Sequence, residues 1–188
     1  MNRREALERV ALIFGGTVIG GAAFLQGCKT SEKGAFVFSL TQEQIAFLDE
    51  VAETIIPTTN TPGAKAAKVG EFMQVMVTDC YEEKDQQVFS EGISKIDEAS
   101  TNKYSKLFLE LTPEDRTSLF NEINKELKEY NDNKKEGDPN HYFAMMKQLT
   151  LLGYFTSEIG ATQALRYVAV PGRHEGCIPY QKGDRAWA

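Results

Sequence analysis

The apolar positions of this chain recur at helical spacing, and the first such run follows Thr41. The segment Thr41-Gln42-Glu43-Gln44 has the spacing of a capping box, in which residues three apart cap the first helical turn reciprocally. Apolar residues then follow every three or four positions, which predicts a helix with one buried face. They are Ile45, Leu48, Ala52, Ile55 and Ile56. Pro57 ends this helix, because proline lacks the amide hydrogen that another turn requires.

The same periodicity predicts four or five further helices. They cover residues 66–81, residues 85–99, a segment opened by Thr112-Pro113-Glu114-Asp115, residues 141–153 and a shorter stretch at 157–165. Turn-forming residues at 58–64 and a polar run at 131–140 separate them. Only residues 167–170 have a strand-like pattern. The fold class is therefore all-α: one domain of about five to six helices over residues 40–188, with an ordered loop tail after Pro171.

The first 27 residues have the pattern of a signal peptide. A basic start over residues 1–9 is followed by an uncharged apolar stretch at residues 10–25. Sixteen helical residues reach only about 24 Å, short of the ~30 Å hydrocarbon core of a bilayer, so a permanent spanning helix is disfavoured.

The apolar stretch ends in Leu25-Gln26-Gly27-Cys28, which resembles the lipobox of bacterial lipoproteins. In such signals the cysteine thiol receives a diacylglyceryl group, and cleavage leaves that cysteine as the first residue. We therefore expect lipidation of Cys28, with residues 28–39 as a short tether; the alternative is a chance cysteine after an ordinary cleavage site. The expected location is the periplasmic side of a bacterial membrane, held by the lipid anchor.

The pair Arg3-Arg4 suggests a twin-arginine signal, which directs folded proteins across the membrane. Leu7 fits the usual pattern, whereas Ala6 and Glu8 stand where an aromatic residue and a lysine are common. An ordinary secretory start remains the alternative.

Charge and motifs exclude several functions. The chain has 21 basic against 27 acidic residues, and removal of residues 1–27 leaves 18 against 25, so a nucleic-acid partner is not expected. No Gly-x-Gly-x-x-Gly fingerprint and no Cys-x-x-Cys-His haem attachment sequence occur. His174 and Cys177 could suggest a metal or nucleophile site, but no second ligand motif supports one. We expect no catalytic, cofactor or metal site on this chain.

Two cysteines remain after Cys28 is assigned to the lipid. In an oxidising compartment such a pair tends to be bridged, so we predict a disulfide between Cys80 and Cys177. The alternative is two separately buried thiols.

Several segments carry a family resemblance. They are Ile55-Ile56-Pro57, Thr61-Pro62-Gly63-Ala64, the run from Leu152 to Gly160, Ala164-Leu165-Arg166-Tyr167, Val170-Pro171-Gly172, Glu175-Gly176-Cys177 and Gly183-Asp184-Arg185-Ala186-Trp187. Together they resemble the gluconate 2-dehydrogenase subunit 3 family from about Leu40 onward, most specifically in the C-terminal third.

The resemblance implies a small, non-catalytic subunit. In this family it accompanies a large FAD-dependent oxidoreductase of the glucose–methanol–choline type, often with a c-type cytochrome subunit that carries haem c. The large subunit oxidises a sugar or sugar acid, and the export signal commonly sits on the small subunit. A lipobox departs from the simple family pattern. A free-standing envelope lipoprotein that binds a ligand or acts as a scaffold, and a small enzyme using His174 and Cys177, are the competing hypotheses.

The C-terminal region is rich in the residue types that protein interfaces favour. We predict a partner interface formed by Arg166, Arg173, Tyr180, Arg185 and Trp187. For Tyr154 and Tyr167, packing within the chain is an equal alternative.

Lipidation of Cys28 can be tested directly. Mass spectrometry of the membrane fraction should find a mature chain that begins with an acylated Cys28, and Cys28→Ser should release the protein. Cys80→Ser is the control and should remain membrane-bound. A soluble mature chain that begins at another residue would contradict the assignment.

Overall fold

The computed structural model describes residues 38–173 and 176–188; Cys28, the Arg3-Arg4 pair and His174 lie outside them. The described residues form five α-helices, with no strand among them. The helices are α1 (Gln42–Ile55), α2 (Val69–Cys80), α3 (Glu83–Tyr104), α4 (Pro113–Asn133) and α5 (Tyr142–Thr156). A short 3-10 helix (Phe108–Glu110) precedes α4, and a π-helical turn (Gly160–Ala164) follows α5. The predicted all-α class is confirmed.

The predicted helix starts at Thr41 and Thr112 are present with their caps. The amide of Gln44 donates to the Thr41 hydroxyl at 3.2 Å, and the Thr41 amide donates to the Gln44 side chain at 2.9 Å. Thr112 accepts from the amide of Asp115 at 3.2 Å, and proline occupies the first position of α4. Both caps satisfy amides that would otherwise lack a helical partner.

Several boundaries differ from the sequence prediction; for example, α5 ends at Thr156 rather than at residue 153, and the predicted helix over residues 157–165 is a π-helical turn over Gly160–Ala164. Helix α2 begins at Val69, three residues later than expected, because Lys68 has a left-handed backbone (φ 53°) that interrupts the helix. Helix α3 continues to Tyr104, where it ends because the next residue, Ser105, also has a left-handed backbone (φ 56°). Helix α4 extends into the polar segment and ends at Asn133. Residues 167–170, the strand-like stretch, form no strand.

Helix α5 is the centre of the domain. It packs against α1, α2, α3, α4 and the π-helical turn. Its residues are apolar around most of the circumference, and eight of them are buried, including Phe143, Met146 and Leu149. Burying each such side chain contributes about 1.5–3 kcal/mol, so α5 supplies a large part of the stability.

Four phenylalanine rings connect the elements around α5. Phe47 of α1 contacts Phe108 of the 3-10 helix with ring centroids 5.2 Å apart, and Phe108 stacks on Phe120 of α4 at 5.2 Å. Phe120 meets Phe143 of α5 edge-on at 4.9 Å. Such offset and edge contacts add to the burial energy and fix the relative positions of the helices.

The Pro-Gly turn between α1 and α2 is held by two side chains. Glu53 accepts hydrogen bonds from the Thr58 amide at 2.8 Å, the Thr58 hydroxyl at 2.7 Å and the Lys65 amide at 3.0 Å. From the other side, the hydroxyl of buried Tyr154 donates to the carbonyl of Pro62 at 2.6 Å. The turn therefore packs onto the end of α5, and its role is structural.

None of the helices within the described residues is long and apolar enough to cross a bilayer.

Loss of the Tyr154 hydroxyl should destabilise the domain. Tyr154→Phe leaves the Pro62 carbonyl without its donor, so the free energy of unfolding in urea should fall by about 1–2 kcal/mol. Tyr167→Phe removes an exposed hydroxyl and should change it by less than about 0.5 kcal/mol. Equal stabilities for wild type and Tyr154→Phe would contradict the proposed role of this bond.

Candidate interaction surface

The C-terminal tail is fastened to the segment that follows α5. The Arg166 amide donates to the carbonyl of Ala186 at 2.7 Å, and the Ala188 amide donates to the carbonyl of Arg166 at 3.3 Å. These hydrogen bonds form an isolated parallel β-bridge between Arg166 and Trp187. The guanidinium of Arg166 lies 4.9 Å from the centroid of the Trp187 ring, a cation–π contact.

Arginine side chains complete this fastening. Arg185 donates to the carbonyls of Thr162 and Gln163, at 3.0 and 2.9 Å, in the π-helical turn. Arg166 donates through Nε to the carbonyl of Arg185 at 2.7 Å and lies 3.8 Å from the carboxylate of Asp184. The tail thus closes back on residues 162–166.

The π-helical turn depends on a glycine at its start. A Cβ at Gly160 would lie 1.9 Å from the carbonyl oxygen of Tyr154 and 3.1 Å from the Cα of Phe155, so no larger residue fits. The Gly160 amide donates to the Ser157 hydroxyl at 3.0 Å, and that hydroxyl donates to the Tyr154 carbonyl at 2.7 Å. This close approach places the turn directly against the end of α5.

Exposed apolar side chains concentrate in the last fifth of the chain. Of twelve large hydrophobic side chains exposed among the described residues, nine lie within residues 151–188. We call these nine the C-terminal face: Leu151, Leu152, Phe155, Tyr167, Val168, Val170, Ile178, Tyr180 and Trp187. Where such side chains form a contiguous patch, they mark an interaction site far more often than scattered exposed residues do.

Contacts within the chain connect some parts of the C-terminal face. Phe155 adjoins Gly160, the π-helical turn binds Arg185, and Arg185 precedes Trp187 in the tail. A cavity of about 330 Å³ opens in the tail beside Trp187, with Ile178 and Tyr180 also in its wall. Apolar side chains around such a cavity can receive a side chain of a partner protein.

A protein-family comparison identifies the chain. The profile described as gluconate 2-dehydrogenase subunit 3 matches residues 42–172. The chain belongs to this family. No curated protein and no solved structure matches the chain significantly. The family name describes one subunit of a multi-subunit dehydrogenase, which makes this chain a dehydrogenase subunit. The match ends at residue 172, so most of the tail lies beyond the region that defines the family.

The five residues predicted at the partner interface have different environments in this family member. Tyr180 and Trp187 are 76% and 56% exposed and belong to the C-terminal face. Arg173 is also exposed. Arg166 and Arg185 are occupied by contacts within the chain, so their first role is to hold the tail. Direct contact of any of the five with a partner stays a prediction.

The sequence did not decide whether Tyr154 and Tyr167 are buried within the chain or lie at an interface. It also did not predict that part of α5 is exposed. Tyr154 is 1% exposed and belongs to the core, whereas Tyr167 is 56% exposed. Leu151, Leu152 and Phe155 were not predicted to be exposed. The available signal was the composition of α5: a helix that is apolar almost all round requires partners on every side, or leaves a face for another protein.

The predicted disulfide is not formed in this structure. Cys80, the last residue of α2, and Cys177 in the tail are both free thiols, and both are exposed. The alternative of two buried thiols is also wrong. The contacts that hold the tail go to residues 162–166, so the tail is attached without a bond to the end of α2.

Metal-ligand side chains do not converge in the described part of the chain: no group of three or more histidine, cysteine, aspartate or glutamate residues could hold an ion there.

Removal of the Arg185 guanidinium should release the tail. Arg185→Met loses two hydrogen bonds to the π-helical turn, so chymotrypsin should cleave at Tyr180 about 5- to 30-fold faster, while helical circular dichroism stays unchanged. Lys182→Met is the matched control, since Lys182 is an exposed cation of the same tail, and its cleavage rate should equal that of wild type. Unchanged cleavage of Arg185→Met would contradict the fastening.

Proposed function

We propose that this chain is a non-catalytic accessory subunit of a periplasmic, FAD-dependent sugar or sugar-acid dehydrogenase. Its partner is the large flavoprotein subunit of the glucose–methanol–choline type, in some complexes with a c-type cytochrome that carries haem c. The chain assists export and assembly of the flavoprotein and tethers it to the membrane. The observation that carries this proposal is the C-terminal face, an apolar surface on a chain whose family is a dehydrogenase subunit.

Charge supports a distinct partner rather than a second copy. Residues 159–188 carry four basic against two acidic residues, while residues 40–158 carry 12 basic against 22 acidic. A symmetric dimer through the C-terminal face would oppose like charges in both regions. A flavoprotein surface with an apolar centre and an acidic rim would complement both the apolar side chains and the net positive charge of this region.

A non-catalytic role is supported by the environment of the carboxylates with shifted pKa values. Burial raises the pKa of Asp49, which accepts a hydrogen bond from the Gly70 amide at 2.8 Å. Burial alone would raise the pKa of Glu50, but hydrogen bonds from Lys65 and Arg116 outweigh it and lower the pKa. Both carboxylates connect helices to neighbouring segments, so their shifts have structural causes.

Export and tethering rest on the N-terminal sequence. A flavoprotein that folds around FAD before export must cross the membrane folded, and the Arg3-Arg4 signal would supply that route to a bound partner. With the anchor at Cys28, the tether of residues 28–39 spans at most about 40 Å. The first residue of the helical domain would therefore stay within about 40 Å of the lipid.

The docking role can be tested with a matched pair of substitutions. Leu151→Glu places a charge in the C-terminal face, whereas Leu109→Glu places one on an equally exposed leucine of the 3-10 helix; the two leucines are 47% and 46% exposed. Leu151→Glu should weaken co-purification of the flavoprotein at least ~10-fold, and Leu109→Glu should leave it unchanged. Replacing Arg3-Arg4 by Lys-Lys should retain both proteins in the cytoplasm.

The deciding measurement is dehydrogenase activity of the envelope in a deletion strain. We expect activity and flavoprotein to be lost from the envelope without this chain. If both are unchanged, the accessory-subunit proposal is wrong, and a free-standing envelope lipoprotein takes its place.

A further inference from the structure

A second concave site lies between helices α3 and α4 and shares no residue with the C-terminal face. It is an open groove of about 650 Å³, which we call the α3–α4 groove. Helix α3 contributes Glu91, Lys95 and Glu98, and α4 contributes Glu126. Aromatic side chains from the end of α4 and the start of α5 complete the wall. They are Tyr130, His141 and Tyr142.

The hydroxyl group of Tyr142 has no hydrogen-bond partner among the described residues. The side chain is only 7% exposed, because it packs where α3 has a glycine: a Cβ at Gly92 would lie 2.6 Å from the Cβ of Tyr142. Burial, reinforced by the charge of Glu126, raises the pKa of Tyr142 to about 12, so the phenol is neutral at physiological pH. No described residue hydrogen-bonds its hydroxyl, and Tyr142 is one of the residues that line the groove.

His141 extends the aromatic wall and is held in one tautomer. Its Nδ1 accepts from the Phe143 amide at 3.2 Å, which leaves the hydrogen on Nε2 when the ring is neutral. Burial lowers the pKa of His141, and the charge of Lys95 lowers it further, so the neutral ring is favoured. The imidazole stacks on Tyr142 with centroids 4.4 Å apart and lies 5.4 Å from the ring of Tyr130.

The charge of the groove favours a cation. Three glutamates face one lysine, and Lys95 is paired with Glu91 at 3.3 Å. Glu98 and Glu126 have no ion-pair partner among the described residues, so two carboxylates remain for a ligand. The ammonium of Lys95 lies 5.7 Å from the centroid of the Tyr142 ring, so a ligand cation that contacts this ring has to displace Lys95.

We propose that the α3–α4 groove binds a ligand through a primary ammonium or guanidinium group. The cation lies against the Tyr142 ring, with Glu98 and Glu126 as its counterions, and the Tyr142 hydroxyl accepts one of its hydrogen bonds. This site is independent of the proposed dehydrogenase partnership, since it uses neither the C-terminal face nor the export signal.

Calorimetric titration of the mature chain at low ionic strength tests the proposal. The probes are acetyl-Gly-Arg-Gly-amide, the same peptide with citrulline in place of arginine, and agmatine. The arginine peptide should bind at least 10-fold more tightly than the neutral citrulline peptide. Agmatine binding as tightly as the peptide assigns the site to free amines, and a clear preference for the peptide assigns it to a polypeptide. Binding of neither cation overturns the proposal.

Substitutions that remove either a negative or a positive charge make the test specific for a cationic ligand. Glu126→Gln should weaken binding of the arginine peptide about 3- to 10-fold, as loss of a charge-assisted hydrogen bond does. Glu129→Gln, the same change on the same helix outside the groove, should leave it within about twofold, the limit expected of a surface substitution. Lys95→Met removes the competing ammonium and should tighten binding.

Two further outcomes would refute cation recognition. One is weaker binding of the arginine peptide by Lys95→Met, which would show that Lys95 supports the bound ligand rather than competing with its cation. The other is an equal loss with Glu126→Gln and Glu129→Gln, which would indicate attraction to the net charge of the protein alone. Circular dichroism of each variant establishes that it is folded.

Discussion

The burial of α5 is the constraint on which the rest of this domain depends. A helix with so few polar positions must be covered on nearly every side, and α1 to α4 and the π-helical turn provide that cover. The phenylalanine contacts from Phe47 to Phe143 join α1, the 3-10 helix and α4 to α5. Because the cover comes from elements far apart in the sequence, the domain should lose its helices cooperatively rather than one by one.

Both sites of interest lie at the ends of this helix. At its start, His141 and Tyr142 form the aromatic wall of the α3–α4 groove. At its end, the cover is incomplete, and Leu151, Leu152 and Phe155 remain exposed. The central helix thus couples the position of a polar, acidic groove to that of an apolar face, although the two share no residue. A rigid connection of this kind suits a subunit that must present surfaces in a defined arrangement.

Motifs that carry the family resemblance have structural roles in this fold. The carbonyl of Pro62 accepts a hydrogen bond from the hydroxyl of buried Tyr154. Only glycine fits at position 160, because a Cβ there would clash with the carbonyl oxygen of Tyr154. The amide of Ala64 donates to the carbonyl of Ile56 at 3.0 Å and closes the Pro-Gly turn. These residues hold the Pro-Gly turn and the π-helical turn against the end of α5.

Most of the helices could be predicted from local pattern, because capping residues such as Thr41 and Thr112 and the spacing of apolar positions act within a few residues. It also predicted an exposed, aromatic tail. It could not predict which side of α5 lacks cover, or that Arg166 and Arg185 would be used to hold the tail, since both depend on contacts between distant segments. The expected bond between Cys80 and Cys177 is not formed in this structure for the same reason, because whether two cysteines meet depends on how distant segments pack. Tyr142, Glu98 and Glu126 come together in the groove only when three helices pack, and no local pattern records that arrangement.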